Sequence, residues 1–111
     1  MVSETMTREA ELSWQLHRAV LPYLWQDWPA SQRVIRKNIA LLKRRPRALL
    51  AEGWVREWEQ AAELGPDAVA TVAMTEGERG DDLRQVSPPA GVLPQEVRLQ
   101  VLHQVRGRAA H

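Results

Sequence analysis

The sequence predicts an all-α protein, a compact small bundle of four to five helices with a proline-rich connector before the last. Apolar residues recur at spacings of three and four in successive stretches, as on one face of a helix. Prolines and glycines fall mostly between those stretches rather than within them, Pro22 and Gly53 apart. No segment alternates apolar and polar residues as a half-buried strand would. A length of 111 residues suits one small domain, 1–111, and leaves no room for a second core.

Residues 1–6 are expected to be loose. Thr7 then caps a first helix whose stripe is Leu12, Leu16, Ala19 and Val20, with Pro22 ending or kinking it. Tyr23, Leu24, Trp25 and Trp28 form an aromatic corner. Pro29 fits the first turn of a second helix, with Val34, Ile35, Ile39, Leu41 and Leu42 on one side and Arg33, Arg36, Lys37, Lys43 and Arg44 on the other. Pro46 stops it. A third helix covers Ala48 to Leu64, starting as late as Gly53, with Leu50, Trp54, Trp58 and Ala61 on its stripe. Gly65-Pro66 stops one helix and starts the next, a short one over Asp67 to Thr75. Residues 76–82 read as an exposed acidic loop, Leu83 to Val86 as one helical turn, and 87–94 as an extended connector. Pro94 opens the last helix, Gln95 to Arg106, with Val97, Val101, Leu102 and Val105 inward. Gly107 caps it, and 108–111 are loose.

Charge is segregated rather than absent. The chain is formally +1, yet Arg33 to Arg47 carries seven cations and no anion. Glu52, Glu57, Glu59, Glu63 and Asp67 follow, against Arg56 alone. On successive antiparallel helices such charges attract and hold a hairpin in register, at about 0–1 kcal/mol per exposed pair.

Little in the chain points to catalysis or to a cofactor. There is no Cys, so disulfides, thiolate nucleophiles and thiolate metal sites are excluded. His17, His103 and His111 match no metal spacing, and His17 is expected on a helix surface or at the core edge. Ser13, Ser31 and Ser87 lack a nucleophile-elbow context, and no glycines form a phosphate loop. No run approaches the roughly 18 apolar residues of a membrane span, and Met1 to Glu11 has no signal-type core. A non-enzymatic, cytoplasmic protein with no cofactor is the expectation. The five Trp are either core or interface anchors, Trp54 and Trp58 one turn apart above all.

Two stretches belong together. One is Glu57-Trp58 followed by Gly65-Pro66-Asp67-Ala68-Val69-Ala70. The other is Leu83 to Leu93 followed by Glu96 and Arg98, with Asn38 in the arginine-rich helix as a further match. As a pair they resemble a group of small bacterial antitoxin-like proteins, of the kind encoded beside toxins that include abortive-infection nucleotidyltransferases. The likeness covers residues 38–106. Pro89 departs from the pattern, which has an aromatic residue there, and the Trp-rich N-terminal third lies outside it.

The resemblance implies a protein that binds and restrains a toxin from a neighbouring gene and takes part in controlling its own operon. The partner-binding candidates are Trp54, Trp58, Leu83, Arg84, Gln85, Ser87, Pro88, Gly91, Leu93, Glu96 and Arg98. Two alternatives stay open. One is a DNA-binding regulator using Arg33, Arg36, Lys37, Lys43 and Arg44, with a log–log salt slope of roughly −4 to −5 for five phosphates. The other is a self-associating helical protein, a homo-oligomer.

Overall fold

The computed structural model describes residues 7–45, 52–86 and 88–109. Six α-helices and one 3-10 helix follow in order, with no strand among the described residues: α1 Arg8–Gln26, α2 Trp28–Lys43, α3 Glu52–Leu64, α4 Pro66–Ala73, α5 Gly77–Val86, the 3-10 turn Pro88–Val92, and α6 Gln95–Ala109. The all-α expectation holds, and the count of four to five helices is corrected to six α-helices among the described residues. The expected stop at Pro46, the start at Ala48, the inward Leu50 and the loose residues 1–6 lie outside the described residues, as do Ser87 and the last two positions.

Local chemistry sets most boundaries. The Thr7 hydroxyl accepts from the Ala10 N–H at 3.0 Å, which opens α1. The Asp27 carboxylate accepts from the Ala30 N–H at 3.3 Å, and Pro29 occupies the first turn of α2. Gly65 separates α3 from α4 with φ of 130° and ψ of −177°, a region open essentially only to glycine. Its N–H donates to Ala61 and its carbonyl accepts from Val69, so one residue closes a helix and opens another.

Three expectations are corrected and a fourth is narrowed. Helix α1 does not end at Pro22 but continues through it to Gln26. Pro22 and Arg18 are both exposed, so the carbonyl deprived of its partner sits on the wet side, where water serves it. Residues 77–82 are not a loop but the first turns of α5. Their polarity hid a helix that is held by tertiary contact: Gly80 is buried so closely on the preceding turn that a Cβ there would stand 1.7 Å from the Thr75 carbonyl oxygen. The proline-rich connector is a 3-10 helix with Pro88 and Pro89 buried, because proline's fixed φ suits that winding as well as it suits an extended chain. Gly107 lies inside α6 rather than capping it.

Helix α1 is the hub, packing against α2, α4, α5, the 3-10 turn and α6. The α3 helix packs on α2, α4 and α5, while α6 leans chiefly on α1. The core joins Leu24 of α1, Ile35 of α2, Trp58 of α3, Val69 of α4, Leu83 of α5 and Leu93. Each buried aliphatic side chain of this size contributes about 1.5–3 kcal/mol. No helix among the described residues is long and apolar enough to cross a membrane.

Candidate functional site

The interior is polar at its centre. The Arg84 side chain, 1% exposed, donates to the carbonyls of Ala73 at 3.0 Å and Thr75 at 2.7 Å. These carbonyls end α4 and the turn after it, so the guanidinium acts as their cap. It also donates to Asp81 at 2.9 Å and lies over the Trp14 ring at 4.8 Å. Beside it, His17 is buried and stacks on Trp58, ring centres 6.2 Å apart. Its expected place on the surface or core edge is corrected: it shares the inward side of α1 with Val20 and Leu24. His17 Nδ1 stands 2.7 Å from the Ser13 carbonyl, which can only accept, so Nδ1 carries the proton. Nε2 is buried and meets no hydrogen-bond partner among the described residues. Burial, first of all, lowers the His17 pKa to about 4; the Ser13 bond raises it, and the charges of Arg84 and Arg98 lower it further.

The same centre absorbs much of the sequence-predicted contact set. Trp58 is fully buried and its indole N–H donates to the Leu83 carbonyl at 2.8 Å. Leu83, Arg84, Pro88 and Leu93 are interior as well. As placed here these five residues hold the fold and display nothing to a partner, a correction to their reading as a contact surface. Arg98 is half-buried and donates to the Ala90 carbonyl at 2.8 Å, and Trp54 is half-buried. Gln85, Gly91 and Glu96 are exposed. Ser87 lies outside the described residues. Asn38, on α2, donates to the Pro88 carbonyl at 2.9 Å and anchors the 3-10 turn.

The α2 cations divide into two sets. Arg36 reaches α3 and grips Glu63 through two nitrogens at 2.7–3.1 Å. Lys43 meets Glu59 at 2.6 Å. Gln32, on the same flank, donates to the Ala62 carbonyl at 2.9 Å. The charge reversal in the sequence is thus a ladder across the α2–α3 hairpin, roofing a cleft of about 220 Å³ floored by Ile39 and Ala62. Arg33, Lys37 and Arg44 are exposed and form no ion pair among the described residues. At 100° per residue they fall within about 40° of arc, on the solvent side of α2. Leu41, expected in the core stripe, is 48% exposed beside them. The stripe is narrower than the sequence reading allowed: only Ser31, Ile35, Ile39 and Leu42 of α2 are buried. A strict wheel would have set Leu41 about 120° from the stripe's centre.

Trp25 is 48% exposed, with its indole N–H donating to Asp67 at 2.7 Å. A second cleft, of about 210 Å³, lies where the α1–α2 corner meets the 3-10 turn, between Tyr23, Asp27, Ser31 and Gly91. No cluster of three or more His, Cys, Asp or Glu among the described residues is placed to hold a metal. The structure therefore defines a helical bundle with a hydrogen-bonded interior and a cationic row on α2. No protein-family model matches the chain, and no curated protein or solved structure matches it.

Proposed function

We propose that this chain is a non-enzymatic binding protein of antitoxin type, restraining by surface contact a protein made from an adjoining gene. The observation that supports the reading is how the two antitoxin-like stretches meet. Trp58 of the first donates to Leu83 of the second, and Asn38 donates to Pro88. The shared residues thus act as one rigid scaffold, and recognition falls to what the scaffold displays. Co-expression with the adjoining gene tests this. The neighbour is expected to arrest growth alone, and to co-purify harmlessly with this chain. A neighbour that neither binds nor harms cells ends the proposal.

A second reading is a nucleic-acid-binding regulator, favoured by Arg33, Lys37 and Arg44, three exposed cations on α2 and its C-cap that form no ion pair among the described residues. With Arg36 and Lys43 held by carboxylates, about three phosphates are in reach, and log affinity should fall with log salt at a slope of roughly −3. A flat dependence removes this reading.

A further inference from the structure

We infer that the exposed row of α2 is the surface that meets the protein partner, and that the partner presents an acidic amphipathic helix to it. The inference deepens the binding reading above and rests on it. Arg33 and Lys37 stand at i and i+4 on α2 and Arg44, at i+11, is its C-cap, whose φ of −87° and ψ of −10° keep it near the helical path, so the three make one stripe about 17 Å long. A second helix with carboxylates at the same spacing matches that stripe charge for charge. Arginine's planar fork takes a carboxylate through two donors, which fixes register as well as attraction.

The two flanks choose the class of partner. On the α3 side the row is edged by Glu59 and Glu63, the carboxylates that hold Lys43 and Arg36. A continuous phosphate backbone laid along α2 would run beside these anions, whereas a helix with one acidic stripe places its other residues there. On the opposite side Leu41 is half exposed. A sugar–phosphate backbone offers little apolar surface to set against it, and an amphipathic helix offers a whole stripe. The backbone under the row is anchored, since Ile35, Ile39 and Leu42 bury the other face of α2, so docking has chiefly the side chains to order.

The test uses the full chain and a synthetic helical peptide with Glu at i, i+4 and i+11 and a Leu placed to face Leu41. Fluorescence anisotropy compares it with a DNA duplex of similar length at low and physiological salt. The peptide is expected to bind more tightly than the duplex. Reversing the row with Arg33→Glu, Lys37→Glu and Arg44→Glu should weaken the peptide at least about tenfold while the circular dichroism stays the same. Leu41→Ala should weaken it roughly threefold or more, a methyl-scale loss of apolar contact. A duplex that binds more tightly than the peptide, with Leu41→Ala silent, overturns the inference in favour of nucleic acid. Binding of neither probe overturns it in favour of a merely solvated face. Co-expression separates this from the broader proposal. If the triple reversal still neutralises the neighbour as the wild type does, the α2 row is wrong and the antitoxin reading stands. If the wild type itself fails to neutralise, the antitoxin reading falls.

Discussion

His17 and Arg84 occupy neighbouring ground in the interior with opposite demands on charge. The Arg84 guanidinium donates to two carbonyls and a carboxylate and lies over an indole face. His17 must stay neutral, because burial and the nearby charges of Arg84 and Arg98 disfavour its proton. An unfolded chain binds that proton near pH 6.5, and the folded one only near 4. The sign follows: the unfolded state holds more protons between these values, so stability is full above pH 6.5 and falls as pH drops towards 4. The accumulated loss is about 3 kcal/mol. Urea titrations at pH 7 and pH 5, above the main carboxylate range, should show the decline in wild type and a flatter response in His17→Phe. Equal slopes in both would refute this assignment. Arg84→Met keeps the bulk but strips two helix-end carbonyls of their donor, and should cost about 3 kcal/mol. The check is a lower urea midpoint with the m-value unchanged.

Among the elements, the 3-10 turn is the least expected and the most closely fitted. Asn38 holds it through Pro88, and Gly91 passes so near α2 that a Cβ would stand 2.7 Å from the Asn38 amide nitrogen and 3.2 Å from Val34. Gly91→Ala should therefore cost about 1–3 kcal/mol. In an Asn38→Ala background the added cost should shrink by roughly 0.5 kcal/mol or more, because the obstructing amide is gone. A double-mutant cycle read by thermal melting measures that coupling, and strict additivity would show that the contact is not the cause. This turn also marks where sequence reading ends. The starts of α1, α2 and α4 were legible because Thr7, Asp27-Trp28-Pro29 and Gly65-Pro66 act through covalent geometry and neighbouring amides, all of it local. Helix α5 was not, since its support comes from Gly80 against Thr75 and Arg84 reaching back to Ala73. The candidate contact set suffered for the same reason. A motif likeness cannot tell a residue that faces a partner from one that, like Trp58 or Leu83, holds the scaffold; only burial separates them. The cationic row was legible as charge, while its division into paired and unpaired members depended on where Glu59 and Glu63 fell.

At the scale of the whole molecule, stability should be graded by connectivity. Helix α1 is packed on by five other elements, so its amides open only when nearly everything else does. Helix α6 leans chiefly on α1, buries Val101 and Val105, and leaves Leu99 47% exposed. Its tie to the rest includes the Arg98 bond to Ala90, which couples it to the 3-10 turn. Between these extremes, the α2–α3 hairpin adds two exposed ion pairs of small individual worth, so its order rests on Ile35, Ile39 and Trp58 rather than on charge. Native-state hydrogen exchange should therefore rank the amides, with α1 slowest, α2 and α3 next, and α6 fastest of the long helices. Added salt should leave the α2–α3 rank unchanged, because screening removes only the minor contribution. Arg98→Met should speed exchange in α6 and in the 3-10 turn together, while α1 is unmoved. If α6 alone responds, the two are not one unit. If α1 exchanges as quickly as α6, the hub description fails.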